Sequence, residues 1–247
     1  VKEYLNDEDV PLEVKATMVE ALAKNENNIN IENNDAIQKV FAEALYRDSG
    51  WHRGRTLQKL VDFIVVSACM GKSISIITTN YDTYIERAIW ERLKFLNDPN
   101  PSEDSESKKP LPKWSLVEHK KVPKVLFQSD KEGSSIEVNY IHGSITENGD
   151  LRGSLVFSER NYADGHDRTV KKLIKWFEKG PTIIVGASLN DVPLVRSLLE
   201  FKRTIKERGE GSHAGIYAIL RRIAIDSEDI SDQFQLSRAE VLGIKLL

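Results

Sequence analysis

Three stretches of the chain place polar side chains directly after an apolar run. Residues 78–82 read Thr-Thr-Asn-Tyr-Asp, residues 140–143 read Tyr-Ile-His-Gly, and residues 183–191 read Ile-Ile-Val-Gly-Ala-Ser-Leu-Asn-Asp. Short β-branched runs suit buried strands, so the polar residues should lie at the carboxyl ends of those strands. Open α/β sheets bind nucleotides at this edge. We therefore predict that the three strand ends meet at one crevice.

The first stretch offers an amide and a carboxylate. Asn80 and Asp82 alternate on an extended backbone, so both can face one cavity while Tyr81 points away. Asparagine has both a donor and an acceptor, which suits a sugar hydroxyl or a water, and aspartate can accept from a carboxamide. The alternative is that these residues cap the helix that follows.

The other two stretches allow two interpretations each. A histidine such as His142 can act as a base near neutral pH, and Gly143 beside it permits close approach of a ligand. The alternative is a core histidine whose ring is hydrogen-bonded. Residues 186–191 have small side chains before a predicted helix, whose amino terminus favours an anion. There the alternative is a tight turn capped by Asn190 or Asp191.

Hydrophobic periodicity supplies the elements that must position these residues. Helical spacing predicts helices over 10–24, 35–46, 56–70, 83–96, 169–179, 192–207 and 231–242. Strand patterns cover 73–78, 122–128, 136–141, 153–157, 181–189, 214–220 and 244–247. Residues 97–114 are polar and proline-rich, which indicates a surface loop. The alternation of strand and helix predicts an α/β fold with a doubly wound, mostly parallel sheet.

Composition narrows the function classes. A chain of 247 residues can form one large domain, and its net charge of −3 argues against a dedicated nucleic-acid surface. No apolar run approaches the roughly 20 residues of a membrane helix. Cys69 is the only cysteine, which rules out an internal disulfide and fits a cytoplasmic location. The chain starts at Val1 without a signal-peptide core, so we expect it to begin inside a longer protein.

Four motifs together resemble one family. Thr-Thr-Asn-Tyr-Asp at 78–82, Tyr-Ile-His-Gly-Ser at 140–144, Leu-Val-Phe-Ser-Glu-Arg-Asn-Tyr at 155–162 and Ile-Val-Gly-Ala-Ser-Leu-Asn-Asp-Val-Pro-Leu at 184–194 follow the order and spacing of sirtuin-like domains. The likeness is strongest to the bacterial branch associated with anti-phage defence. It extends over about residues 41–247.

The resemblance implies a Rossmann-like cleft that takes NAD as substrate. Asn80 matches the asparagine beside the nicotinamide ribose, Asp82 the residue that contacts the carboxamide, and His142 the catalytic base. Thr79 and Gly143, which adjoin these residues, are predicted to bind substrate as well. The positions that match the adenosine ribose and phosphate contacts are Gly186, Ser188 and Asn190. Ser158, Glu159 and Tyr162 belong to a motif whose role the resemblance leaves open.

Two departures from the family pattern affect the interpretation. The Gly-Ala-Gly-x-Ser loop that cradles the pyrophosphate is absent, and we expect it to lie upstream of Val1. One cysteine cannot supply the four zinc ligands of protein-deacylating sirtuins. Residues 97–136 are therefore expected to form a small insertion without zinc, and no metal is expected.

The resemblance implies that the whole chain, 1–247, is one NAD-binding domain with NAD+ glycohydrolase activity, which would release nicotinamide and ADP-ribose. Such domains deplete NAD in anti-phage systems, under a fused or separate sensor, and commonly act as homo-oligomers. Contacts with nucleic acid or membrane are not expected. The alternative is a non-catalytic module that senses NAD or ADP-ribose or docks a partner. A protein deacylase is disfavoured by the missing cysteines.

Overall fold

The computed structural model describes residues 35–46, 54–97, 112–119, 122–153, 155–156, 159–185, 191–208, 215–219 and 230–246. The chain divides into two compact units, residues 1–161 and 162–247. The predicted helix over 10–24 and the stretch 98–111 of the predicted loop lie outside the described residues.

The first unit combines three helices with six strands in its described part. The helices are α1 (Asp35–Tyr46), α2 (Arg55–Cys69) and α3 (Tyr84–Asn97). The strands are β1 (Ser73–Thr78), β2 (Trp114–His119), β3 (Lys124–Ser129), β4 (Ser135–Tyr140), β5 (Ser144–Ile145) and β6 (Leu151–Arg152).

Four of these strands form a mixed sheet in the order β1-β4-β3-β2. β1 pairs with β4 in parallel, in a register that sets Ser73 beside Ser135 and Thr78 beside Tyr140. β3 runs antiparallel to both β4 and β2. Because β1 and β4 are parallel neighbours, their carboxyl ends lie at the same edge of the sheet.

Helices α2 and α3 pack on the sheet through residues at helical spacing. Buried side chains recur on α2 at Val61, Ile64, Val65 and Ala68 and on α3 at Ala88, Ile89 and Leu93. These positions are three or four residues apart, so each helix presents one apolar stripe. They share one core with the alternate buried residues of β3 and β4, which are Val125, Phe127, Ile136, Val138 and Tyr140.

A smaller apolar cluster joins α1 to the β5–β6 hairpin. It contains Ala42 and Tyr46 of α1 together with Ile145 and Leu155. The Tyr46 hydroxyl donates to the Ile145 carbonyl at 2.7 Å and accepts from the Thr83 amide at 2.7 Å. This buried phenol therefore ties the hairpin to the residue that precedes α3.

The second unit contains a parallel sheet with helices beside it. Its strands are β7 (Thr182–Val185), β8 (Ile216–Ile219) and β9 (Lys245–Leu246), in the order β7-β8-β9. Its helices are α4 (Glu159–Phe177), most of which lies in this unit, α5 (Val192–Arg208) and α6 (Ile230–Leu242). The rings of Phe177 and Phe201 pack with their centroids 5.6 Å apart and their planes tilted by 57°. Lys202 of α5 donates to the Val241 carbonyl at 2.9 Å, where a cation suits the carboxyl end of α6.

The structure confirms the predicted α/β class and the Rossmann-like arrangement of strands and helices. It differs in three details. β2 and β3 are antiparallel members of the same sheet as β1, which the prediction of a mostly parallel sheet did not include. The predicted strand over 153–157 is wrong in its described part, because residues 153 and 155–156 form no strand and the nearest strand, β6, is Leu151–Arg152. Helix α4 begins at Glu159, ten residues before the predicted start.

Candidate functional site

Two of the three predicted strand ends are adjacent in the first unit. The Ile141 amide donates to the Thr78 carbonyl at 3.1 Å, and the Ile145 amide donates to the Tyr81 carbonyl at 2.9 Å. The first bond joins residues that come before Asn80 and His142 in the sequence, and the second joins residues that come after them. The backbone therefore holds these two candidate residues on neighbouring segments at one edge of the sheet.

Asn80 is an exposed member of this edge. Its backbone N–H donates to Thr78 Oγ1 at 3.1 Å, which closes a tight turn directly after β1. Both Thr79 and Asn80 are exposed to solvent. The amide predicted to face a ligand is therefore reachable from solvent.

Asp82 is half-buried and contacts the start of α3. Its Oδ1 accepts a hydrogen bond from the Tyr84 amide, the first residue of the helix, at 3.0 Å. Burial raises the pKa of the Asp82 carboxyl, although this backbone hydrogen bond opposes the rise. The capping alternative is thus confirmed for one carboxylate oxygen. Since a carboxylate has two oxygens, a further contact with an amide donor remains compatible with the cap.

His142 is almost wholly buried, with 2% of its surface exposed. Its carbonyl accepts from the Val156 amide at 3.0 Å, and the Tyr81 hydroxyl donates to the Val156 carbonyl at 2.5 Å. The rings of Tyr81 and His142 lie 6.4 Å apart between centroids. The prediction that Tyr81 points away from the candidate site is therefore wrong, because its side chain is held against the His142 segment.

Gly143 and Ser144 continue this segment. Gly143 has φ of 75°, a conformation that side chains with a Cβ rarely adopt, so the chain turns here because the residue is glycine. Ser144 is fully buried, and its Oγ has no hydrogen-bond partner among the described residues. Buried hydroxyls are usually hydrogen-bonded, so Ser144 Oγ can accept or donate one further hydrogen bond beyond the described contacts.

A buried charged cluster lies behind the edge. Arg152 Nη1 is 2.8 Å from Glu86 Oε1 and 2.7 Å from Glu86 Oε2, and the Tyr140 hydroxyl donates to Glu86 Oε2 at 3.1 Å. Burial raises the pKa of the Glu86 carboxyl, whereas Arg152 lowers it. Burial also raises the pKa of the Tyr140 phenol, and Glu86 adds to the rise, so Tyr140 remains a neutral donor.

Sequence reasoning did not single out this cluster, nor Ser144. The contacts of Glu86 with Tyr140 and Arg152 join residues 54 and 66 positions apart. No local pattern relates such distant positions. The one signal in the sequence was Glu86 in the first turn of a predicted helix, where an acidic residue also suits the helix dipole.

The third predicted strand end belongs to the second unit. Gly186, Ser188 and Asn190 lie outside the described residues, so their roles stay predictions. Asp191 is described, and its Oδ1 accepts from the Leu194 amide at 2.8 Å in the first turn of α5. Its capping interpretation is therefore confirmed. Ser158 and the side chains of Glu159 and Tyr162 likewise lie outside the described residues.

The described part of the chain lacks two kinds of feature. No group of three or more histidine, cysteine, aspartate or glutamate side chains is arranged there to hold a metal ion. None of the described helices combines the length and apolar character required to span a membrane.

The family model described as SIR2-like domain matches residues 74–242, which is more than half of the 247 residues and contains both described strand ends. No curated protein matches the chain.

Proposed function

Because this chain belongs to the SIR2-like domain family, which supports an NAD-related function, we propose that it is an NAD+ glycohydrolase. The observation that carries the proposal is the pair of backbone hydrogen bonds, Thr78 to Ile141 and Tyr81 to Ile145, which brackets Asn80 and His142. The reaction needs a polar group at the ribose and a base close to it. These two residues lie on adjacent segments and are of the required types.

The chemistry breaks one bond and forms one bond. The bond between the ribose C1′ and the nicotinamide nitrogen breaks, and its electron pair leaves with nicotinamide, which becomes neutral. The ribosyl centre then carries the positive charge, as in glycoside hydrolysis. A water oxygen bonds to C1′ and loses a proton. The sum is NAD+ plus water giving nicotinamide, ADP-ribose and a proton.

Each residue of the described edge has a proposed role in this scheme. Asn80 orients the ribose and the attacking water through its amide. Asp82 accepts from the nicotinamide carboxamide through the carboxylate oxygen that does not cap α3. His142 takes a proton as base, and Gly143 lets the backbone approach the substrate. General base catalysis contributes typically about 100- to 10,000-fold.

Two further features of the described edge support a nucleotide substrate. Ser144 Oγ, which has no hydrogen-bond partner among the described residues, suits a substrate hydroxyl or a bound water. Thr79 is exposed beside Asn80. We assign the adenosine ribose and phosphates to Gly186, Ser188 and Asn190, on sequence grounds alone. The whole chain, 1–247, would then serve as one NAD-binding domain.

The biological setting follows from the resemblance in the sequence. We propose a cytoplasmic, homo-oligomeric effector of a prokaryotic anti-phage system, in which a fused or separate sensor triggers NAD depletion.

The decisive experiment measures nicotinamide release from NAD+ by the full-length protein. We expect His142→Ala and Asn80→Ala each to lose about 100-fold or more in turnover while keeping the wild-type circular dichroism spectrum. Asn148→Ala removes the same amide from an exposed turn, and we expect wild-type turnover from it. Folded variants that consume NAD at the wild-type rate would overturn the assignment of these residues.

A second candidate function is binding without turnover. It is favoured by the burial of His142, which at 2% exposed resembles a core histidine. This function predicts that the full-length protein binds NAD+ or ADP-ribose in a titration and releases no nicotinamide. Release by the wild type eliminates it.

A further inference from the structure

Burying Arg152, Glu86 and Tyr140 together has a high desolvation cost, because two of the three side chains are charged. The side chains of Arg152 and Glu86 are 8% and 13% exposed, and Tyr140 is 1% exposed. Moving two charges out of water costs about as much as their attraction returns, and apolar residues of similar volume are often as stabilising. Stability alone therefore does not explain why an ion pair occupies this position.

The three members lie on three segments that lead to or from the candidate site. Glu86 is in the first turn of α3, four residues after Asp82. Tyr140 ends β4, two residues before His142. Arg152 lies in β6 directly opposite Ser144, which is two residues after His142. The cluster thus connects the segment after Asn80 with both sides of His142.

The geometry of the contact is restrictive. One guanidinium nitrogen lies within 2.8 Å of both carboxylate oxygens, and the phenol approaches one of them, so Glu86 is held from two directions. Charge-assisted hydrogen bonds are short and directional. Glu118 of β2, half exposed at 50%, adds a looser contact of 3.4 Å with Arg152 Nη2. An apolar core at this place would allow small shifts that this arrangement resists.

We propose that Arg152, Glu86 and Tyr140 are positioning residues, which fix the His142 segment against the Asn80–Asp82 segment without touching substrate. Their catalytic consequence rests on the proposed glycohydrolase function. Their effect on the placement of His142 does not.

The test replaces the ion pair rather than breaking it. Glu86→Met combined with Arg152→Met removes both charges and leaves only the neutral Tyr140 hydroxyl without its acceptor, so the double variant should fold. The matched control is Arg87→Gln with Glu147→Gln. Arg87 and Glu147 form a 3.0 Å ion pair that also joins α3 to the β5–β6 hairpin, but their side chains are 44% and 56% exposed.

Two readouts separate positioning from a merely structural role. The imidazole signals of the chain's five histidines can be followed by NMR, with the His142 signal assigned from its loss in His142→Ala. We expect that signal to shift in the double Met variant and to stay in place in the control. We also expect kcat for nicotinamide release to fall about 10- to 100-fold with KM changed less than threefold, because misplacement by about 1 Å can cost 100-fold.

The outcomes are distinct. A folded double Met variant with the wild-type His142 signal overturns the proposal. Wild-type kcat in that variant, where the wild-type protein releases nicotinamide, overturns it as well. A wild-type protein that releases no nicotinamide contradicts the proposed glycohydrolase instead, and the His142 signal still decides whether the cluster positions this residue. Where the double variant fails to fold, Arg152→Lys keeps the charge and loses the guanidinium geometry, and the same two readouts apply to it.

Discussion

Replacing Arg152 alone by methionine should destabilise the protein in a pH-dependent way. The variant leaves the Glu86 carboxylate, 13% exposed, without its cation. Breaking a buried ion pair by removing one partner typically costs about 3–5 kcal/mol. The exposed pair of Arg87 and Glu147 gives the scale for comparison, because surface ion pairs contribute about 0–1 kcal/mol. Arg87 also contacts Glu91 at 3.4 Å, so Arg87→Met breaks two exposed pairs and should lose about 0–2 kcal/mol. We therefore expect Arg152→Met to lose more stability than Arg87→Met.

The sign of the pH dependence follows from the pKa of Glu86. Burial already raises this pKa, and removing Arg152 removes an influence that lowers it. A carboxyl whose folded pKa lies above its unfolded value stabilises the fold most below the unfolded pKa, about 4.3 for glutamate. That contribution is lost as the pH rises through the raised folded pKa. Arg152→Met should therefore be closer to wild type at pH 5 than at pH 8.

Urea unfolding followed by circular dichroism measures both effects. Wild type, Arg152→Met, Arg87→Met and the double variant Glu86→Met with Arg152→Met would each be unfolded at pH 5 and pH 8. We expect the double variant to recover most of the loss seen with Arg152→Met, because no buried charge remains. The reasoning is refuted by an Arg152→Met variant as stable as wild type at pH 8. An equal loss at both pH values would refute the part assigned to Glu86.

Two further predictions concern the contacts of α3 with its surroundings. Tyr46→Phe removes a buried hydroxyl that bonds to Ile145 and Thr83. Because the groups left behind are buried, the free energy of unfolding in urea should fall by about 1–3 kcal/mol. A fall of less than about 0.5 kcal/mol would contradict this. Asp82→Ala should cost about 0.5–2 kcal/mol through the lost cap, whereas Asp82→Asn keeps a capping oxygen and should cost little. If both Asp82 variants were equally unstable, the cap would not be the cause.

The local parts of this structure were predictable from the sequence because their signals are local. The helix predicted over 83–96 is observed as Tyr84–Asn97, and the strand predicted from residue 73 is observed as Ser73–Thr78. Both combine a periodic apolar pattern with a clear change of residue type at the boundary. The same change of type placed Asn80 and Asp82 at the carboxyl end of a strand.

Features that depend on distant partners were not predictable. Strand β2 (Trp114–His119) follows a polar, proline-rich stretch and, among the described strands, pairs with β3 alone, so its short pattern gave little signal. The first half of α4, from Glu159, is rich in polar residues and contains Gly165, so it lacks an apolar stripe. Tyr81 was misplaced for a related reason. The prediction assumed that side chains continue to alternate between the two faces of a strand beyond residue 78. The observed strand ends at that residue and the backbone turns.

The described contacts divide the candidate site into a fixed back and an exposed front. At the back, the segments after β1 and β4 are joined by two backbone hydrogen bonds, by the Tyr46 hydroxyl and by the ion pair of Glu86 and Arg152. At the front, Thr79 and Asn80 are exposed. A hydrolase site must admit one attacking water and exclude others. It therefore needs a rigidly held base and polar groups that the substrate can reach. The burial of His142 is compatible with both proposed functions, a base held rigidly and a core histidine in a binding module, and nicotinamide release distinguishes them.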